Sequence, residues 1–127
     1  MDVFSAGDHG STFGGNPLSS VVANEGLKVL LEEKLVENSA KLGQYFIEGL
    51  RKINNPAITE VRGKGLFIGL ELDPKLLKAR DVCMQLMDKG LLSKETHETV
   101  IRFAPPLVIT KTQIDEALAI IRSVLES

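Results

Sequence analysis

Two places in the sequence carry side chains suited to binding anions, and the first is a glycine-rich stretch near the start. Residues 7–17 contain four glycines, the hydroxyls of Ser11 and Thr12, and the pair Asn16-Pro17. Glycine lets the main chain approach an anion closely, and the two hydroxyls add uncharged hydrogen-bond donors. The stretch can therefore present backbone N–H groups and hydroxyls to an anion such as phosphate. Its spacing matches neither the P-loop nor the dinucleotide pattern, so a capped turn that only starts a helix is the alternative.

The second place is Arg102, which precedes a rigid Pro105-Pro106 corner. Alternation along a strand puts Arg102 on the same face as Val100 and Ala104, so its permanently charged guanidinium lies among apolar neighbours and needs an anion. A surface Asp or Glu would form a pair worth about 0–1 kcal/mol, without functional meaning. A ligand carboxylate could instead be held through both oxygens by the planar guanidinium, as substrate recognition requires.

The other reactive side chains favour structural roles. His9 lies in the glycine-rich stretch and His97 in a polar turn, and neither has a sequence-near acid or nucleophile partner that would define a catalytic pair, so both are interpreted as solvated loop histidines. Lys64, between two glycines, is expected in a turn, and Lys94 lies at a strand end. Cys83 falls within an apolar helical stripe, so we interpret it as a small core residue rather than a nucleophile.

Helices are predicted wherever apolar residues recur at intervals of three and four. The first helix follows Asn16-Pro17, since Asn is a preferred N-cap and Pro is tolerated at the first helical position. Further helices are predicted over residues 36–53 and 73–90, the latter with Asp73 as its N-cap. The last helix begins near Thr110, which can form a capping box with Gln113.

Four short strands are predicted between the helices. Residues 58–62 and 66–72 flank Gly63-Lys64-Gly65 as a hairpin, and residues 91–94 and 99–104 flank the polar turn 95–98. The resulting order is α-α-β-β-α-β-β-α. Its natural packing is an α/β (α+β) fold, with a small, mostly antiparallel sheet covered by helices on one side.

The length, net charge and cysteine content of the chain exclude several classes of function. A chain of 127 residues fits one domain, and a net charge of -2 supplies no positive field for nucleic acid. The single cysteine excludes an internal disulfide framework and favours a reducing, cytoplasmic setting. We find no apolar run long enough to span a bilayer and no signal-peptide pattern at Met1, so no membrane partner is expected.

Five segments together resemble the C-terminal part of class III aminotransferases, in the same order and with similar spacing. They are STFGGNPL (11–18), VRGKGL (61–66), GLL (90–92), Lys94 with Thr96-His97, and IRFAPPL (101–107). The resemblance covers essentially the whole chain. It implies the small C-terminal domain of a fold-type-I transferase, which uses pyridoxal phosphate to move an amino group between an amine substrate and 2-oxoglutarate. The Lys94 segment favours family members that act on ornithine, giving glutamate semialdehyde and glutamate. Members acting on acetylornithine or 4-aminobutyrate are the alternative.

The resemblance also implies roles for individual residues. Thr12 would donate its hydroxyl and backbone N–H to the cofactor phosphate of the partner subunit in a homodimer, with Ser11 beside it near the substrate. Arg102 would bind the substrate carboxylate. The chain would divide into a cofactor-phosphate loop from the end of a large domain (1–16), an interdomain helix (17–36) and a C-terminal small domain (37–127).

Some family residues have no match in this chain. The lysine that holds the cofactor, the acid that pairs with its pyridine nitrogen and the aromatic that stacks on its ring belong to the large domain. We therefore expect the isolated chain to be catalytically inactive. The rival hypothesis is a non-catalytic α/β module that binds a carboxylate near Arg102 without pyridoxal phosphate.

Overall fold

A computed structural model describes residues 10–126, so His9 and the rest of residues 1–9 lie outside the description. The elements in chain order are α1 (Pro17–Glu32), α2 (Leu35–Arg51), β1 (Ile58–Lys64), β2 (Phe67–Leu72), α3 (Ala79–Asp88), β3 (Lys94–Thr96), β4 (Val100–Phe103) and α4 (Lys111–Leu125). The chain forms two compact units, Met1–Lys34 and Leu35–Ser127. Among the helices described, none has the length and apolar character needed to cross a membrane.

The second unit contains a four-stranded sheet in the order β1-β2-β4-β3, and every neighbouring pair is antiparallel. Along β2 the side chains of Ile68, Leu70 and Leu72 are buried, whereas Phe67 on the other face is exposed. The sheet therefore has a buried inner face and an open outer face. This confirms the predicted α+β fold with a mostly antiparallel sheet.

The inner face packs against apolar stripes of α2, α3 and α4. The largest fully buried side chains come from all of these elements and are Leu50, Ile68, Leu70, Leu72, Val82, Leu86, Ile101, Ile114 and Ile121. Cys83 lies in the same core with 6% of its surface exposed, which confirms its predicted place there. Burial raises the pKa of its thiol, so the reactive thiolate is disfavoured.

The hairpin of β1 and β2 lies directly against α2 through small residues. A Cβ atom added to Gly43 of α2 would lie 2.0 Å from the carbonyl oxygen of Gly65. Gly65 has a φ of +56°, which glycine adopts without strain. The backbone N–H of Leu66 donates to Ser39 Oγ over 3.1 Å. Glycine on both sides thus permits a backbone contact that no larger residue would allow.

Two predicted helix starts are confirmed. The side chain of Asn16 accepts a hydrogen bond of 3.0 Å from the N–H of Ser19, and Pro17 follows as the first helical residue of α1. Thr110 and Gln113 form the complete capping box at the start of α4. Each cap satisfies backbone donors that a helix leaves without an internal partner.

The expected start of the third helix is wrong, because α3 begins at Ala79 rather than after Asp73. The side-chain carboxylate of Asp73 accepts a hydrogen bond from the N–H of Lys75 over 2.9 Å. The backbone carbonyl of Asp73 accepts from the N–H groups of Leu76 and Leu77. These bonds close a turn, so Asp73 satisfies backbone donors locally instead of capping a helix.

The third strand is also displaced from its predicted position, and begins at Lys94 instead of Leu91. Gly90 ends α3 with a φ of +87°, and the N–H of Leu91 donates to the carbonyl of Leu86 over 2.8 Å. The backbone after α3 is therefore engaged in closing the helix. Glu95 and Thr96, expected in a turn, pair with β4 instead.

Candidate functional site

Residues 10–16 form a short turn that runs into α1 in the first unit. The N–H of Gly14 donates to the carbonyl of Ser11 over 3.3 Å, and Asn16 Nδ2 donates to the carbonyl of Phe13 over 2.7 Å. Gly15 has a φ of +74°, a conformation that strains other residues. The turn is therefore fixed by its own hydrogen bonds and by the cap of α1.

Ser11 and Thr12 are exposed at this turn. Their hydroxyls form no hydrogen bond with any residue between 10 and 126, and neither do their backbone N–H groups. With respect to this part of the chain, the loop presents uncharged hydroxyl and amide donors. This donor set fits a phosphate group, which accepts hydrogen bonds through several oxygens.

Arg102 lies in the second unit, on the outer face of β4. It is opposite Gly69 of β2 on one side and Lys94 of β3 on the other. Arg62 of β1 lies opposite Gly69 in turn, so these four residues form one row across the sheet. The neighbours of Arg102 are thus a glycine and a lysine as well as apolar residues, which differs from the expected apolar setting.

The two arginines of this row have different partners. Arg62 forms ion pairs with Glu60 and Glu71, and these carboxylates raise the pKa of its guanidinium. Arg102 forms no ion pair with any carboxylate of residues 10–126. Its Cζ atom lies 6.0 Å from the centre of the Phe67 ring, within the range of a cation–π contact. The alternative that Arg102 pairs with a surface Asp or Glu is therefore not supported within residues 10–126.

A groove of about 350 Å³ opens on the outer face beside Arg102. We call it the Arg102 groove, and its lining includes Phe67, Gly69, His97 and Val100. No acidic side chain of residues 10–126 lines it. Phe67, 62% exposed, supplies apolar surface, and a Cβ atom at Gly69 would lie 3.2 Å from Val100 Cγ1 and 3.9 Å from Arg62 Cγ. Such a groove suits a small anion with an apolar portion.

Sequence reasoning missed Phe67 and Gly69 as site residues. The available signal was a glycine inside a predicted strand, which often marks the close approach of a ligand. The structure also places Lys64 at the end of β1 and His97 in the β3–β4 turn, both on the groove. His97 is exposed, in keeping with a turn histidine.

Comparison with known proteins gives the class of protein first. The family model described as "Aminotransferase class-III" matches residues 1–125. The chain therefore belongs to the class III aminotransferase family, as the five sequence segments predict.

Three individual relatives are similar to the chain over almost its whole length. The chain is 58% identical over 124 residues to an ornithine aminotransferase of Staphylococcus carnosus (strain TM300), a match that covers 98% of this chain and 31% of that protein. The ornithine aminotransferase from Toxoplasma gondii ME49 has a TM-score of 0.87 at 44% identity, over 99% of this chain and 31% of that one. An acetylornithine aminotransferase from Elizabethkingia anophelis has a TM-score of 0.84 at 42% identity, over 99% and 34%. The chain thus spans about a third of the length of these relatives.

Proposed function

We propose that the chain is the C-terminal part of a pyridoxal-phosphate-dependent ornithine aminotransferase. The complete enzyme would transfer the δ-amino group of ornithine to 2-oxoglutarate, giving glutamate semialdehyde and glutamate. The observation that carries the proposal is the guanidinium of Arg102, which lies on an open groove and forms no ion pair with a carboxylate of residues 10–126, in a chain 58% identical to a protein of that name. The segment of Lys94, Thr96 and His97 supports ornithine as the amine substrate.

Arg102 would bind the carboxylate of the amino acid or oxo acid. A guanidinium can donate two parallel hydrogen bonds to both carboxylate oxygens, which fixes the orientation of the substrate as well as its position. Because Arg102 has no competing carboxylate within residues 10–126, no ion pair there would have to break first. The apolar Phe67 ring beside it would contact the carbon chain of the substrate.

Thr12 and Ser11 would hold the cofactor. Thr12 would donate its hydroxyl and backbone N–H to the phosphate of pyridoxal phosphate in a partner subunit, with Ser11 beside it on the substrate side. The donors of Ser11 and Thr12, which form no hydrogen bond with residues 10–126, support this role. When bound, pyridoxal phosphate supplies the electron sink that amino-group transfer needs. The loop's own contribution is to bind the phosphate and so to fix the cofactor's position.

The domain organisation is part of the proposal. Residues 1–16 would end the large domain, residues 17–36 would contain the interdomain helix, whose helical part α1 ends at Glu32, and residues 37–127 would form the small domain. The boundary of the two compact units between Lys34 and Leu35 is compatible with this division. The complete enzyme would be a cytoplasmic homodimer, in which the exposed apolar side chains of α1, such as Leu18 and Leu31, would pack against the rest of the protein.

A chimera tests the proposal. Residues 1–127 would replace the matching C-terminal part of the Staphylococcus carnosus relative, and ornithine-dependent formation of glutamate would be measured. We expect activity from the chimera and none from the isolated chain. Arg102→Lys should lower kcat/KM about 10- to 100-fold, because the paired hydrogen bonds to the carboxylate are lost. The control Arg122→Lys, on the exposed surface of α4, should leave kcat/KM unchanged.

The same chimera can contradict the proposal. A folded chimera that binds pyridoxal phosphate yet transfers no amino group from ornithine would refute it. Thr12→Val should weaken cofactor binding, measured by the absorbance of the bound cofactor, and an unchanged affinity would remove Thr12 from the site.

A second candidate acts on N-acetylornithine. The observation in its favour is the acetylornithine aminotransferase structure, whose TM-score of 0.84 and identity of 42% are close to those of the ornithine enzymes. A higher kcat/KM of the chimera for N-acetylornithine than for ornithine would favour it. The non-catalytic alternative predicts tight carboxylate binding by the isolated chain without pyridoxal phosphate, which calorimetry would detect.

A further inference from the structure

The sheet of the second unit has two edge strands, and β1 is the longer one. The strand order β1-β2-β4-β3 leaves one side of β1 and one side of β3 without a neighbouring strand. β3 has three residues, Lys94–Thr96, whereas β1 has seven, Ile58–Lys64. Of these seven, only Val61 is buried. A long exposed edge presents backbone donors and acceptors to which a further strand can bind.

The hydrogen bonds of β2 show which backbone groups of β1 point to this edge. The N–H of Leu72 donates to the carbonyl of Thr99 over 2.9 Å, so it points to the side of β4. Backbone groups alternate in direction along a strand, so those of Glu71 point to the other side, towards β1. Glu71 lies opposite Glu60. The backbone of Glu60 therefore faces β2, and that of Val61 faces away from the sheet.

Val61 and Gly63 thus direct their N–H and carbonyl groups to the open edge. The carbonyl of Val61 accepts a hydrogen bond from Arg51 Nη2 over 3.1 Å. A carbonyl oxygen has two lone pairs, so it can accept a second hydrogen bond. A groove of about 330 Å³ opens beside Val61, between residues 50–56 and residues 58–61. The edge therefore has both the space and the hydrogen-bonding groups for one more strand.

The sequence of β1 is complementary to itself in antiparallel pairing. When Val61 lies opposite Val61 of a second copy, the two residues exchange hydrogen bonds through their outward N–H and carbonyl groups. This register places Glu60 of each copy opposite Arg62 of the other. Opposite charges directly across two strands stabilise the pair, and like charges destabilise it. A register centred on Arg62 would instead place the two guanidinium groups opposite each other.

We propose that the free edge of β1 binds a second copy of this chain, with Val61 at the two-fold axis and Glu60 opposite Arg62 on either side. The inference goes beyond the proposed function and does not rest on it, because this edge includes neither Arg102 nor the turn of Ser11 and Thr12. The paired segment, residues 59–63, is about 17 Å long. Its area is smaller than that of stable complexes, so the association is weak.

NMR spectra of the ¹⁵N-labelled chain, recorded from dilute to concentrated solution, test the pairing. We expect the amide signals of Val61 and Gly63 to shift as the concentration rises, and their hydrogen exchange to slow. The reason is that these N–H groups donate to the second copy. Association through the exposed apolar side chains of α1 would shift the signals of α1, so the signals of β1 report this edge separately.

An exchange of charges tests the register. Glu60→Arg places two arginines opposite each other at both contacts and should weaken the association about tenfold or more. The double variant Glu60→Arg/Arg62→Glu restores opposite charges and should return the association to within about twofold of the unaltered chain. The new arginine at position 60 lies opposite Glu71, so an ion pair within the chain is kept. The matched control Glu116→Arg makes the charge change of Glu60→Arg on the exposed surface of α4 and should leave the association unchanged.

Three results would overturn the proposal. The first is that the signals of Val61 and Gly63 do not change with concentration. The second is that the double variant associates no better than Glu60→Arg, because Glu60 and Arg62 are then not opposite each other. The third is that a synthetic peptide of residues 58–64 shifts these signals although the chain alone does not, which would assign the edge to an extended segment of another protein.

Discussion

Gly43→Ala should destabilise the second unit strongly, although alanine is the better helix former. The added Cβ would lie 2.0 Å from the carbonyl oxygen of Gly65 and 2.1 Å from its carbonyl carbon. Both obstacles are backbone atoms of the β1–β2 hairpin, so no rotation of a side chain can remove them. The hairpin and α2 must move apart by more than 1 Å to restore ordinary contact distances of about 3.5 Å.

The expected magnitude combines three effects. Helix propensity favours alanine over glycine by about 1 kcal/mol. Overpacking against backbone costs about 1–3 kcal/mol or more. Separation of α2 from the hairpin also weakens the hydrogen bond from Leu66 N–H to Ser39 Oγ, at a further cost of about 1–3 kcal/mol because Leu66 is buried. The net loss is about 1–5 kcal/mol, which lowers the unfolding temperature by about 5–25 °C at about 5 °C per kcal/mol.

Urea unfolding followed by circular dichroism measures this loss, with Gly49→Ala as the matched control on the same helix. A Cβ at Gly49 would lie 2.4 Å from Leu118 Cδ1, the far end of a flexible side chain that can turn away. We therefore expect a lower urea midpoint for Gly43→Ala than for Gly49→Ala, at an unchanged denaturant slope. Equal midpoints for the two variants would refute the argument from backbone contact.

Three further predictions concern other parts of the chain. Lys111 and Tyr45 hold the pKa of Asp115 below its usual range, so its stabilising contribution is complete above about pH 4 and lost as the pH falls through the folded pKa. Asp115→Asn should therefore flatten the acid side of a plot of urea midpoint against pH. Thr110→Ala, which removes the capping box of α4, should cost about 1 kcal/mol in urea unfolding. The exposed apolar side chains of α1 predict concentration-dependent self-association in sedimentation, which Leu27→Glu should reduce.

Most of the fold could be predicted from the sequence, because apolar spacing and caps are local signals. The caps at Asn16 and Thr110 lie where the sequence predicts them, and the alternating residues of β2 face the core. The errors arose where one residue can serve two local structures. Asp73 is equally suited to an N-cap and to a turn, and only the hydrogen bond from Lys75 decides between them. Gly90 ends α3, and the N–H of Leu91 then donates to the carbonyl of Leu86 in the last turn of that helix. No apolar periodicity in the sequence predicts this contact.

The candidate site was predictable only in part. The sequence alone singles out Ser11, Thr12 and Arg102 as candidate anion-binding residues, because hydroxyl and guanidinium groups donate hydrogen bonds to anions. The residues that surround Arg102 could not be predicted, because strand register determines them. The register places Gly69 opposite Arg102 and Arg62 opposite Gly69. The partners of Arg62, which distinguish it from Arg102, come from that register as well.

No residue of α1 is buried, and this affects the rate at which the amides of α1 exchange hydrogen with solvent. A helix of 16 residues with a central glycine and no buried residue opens easily, so its amides should exchange with solvent far faster than those of the sheet. In the proposed enzyme, contacts made by α1 in the assembled protein would slow that exchange. The segment next to the cofactor loop would then report assembly directly, by the protection of its amides.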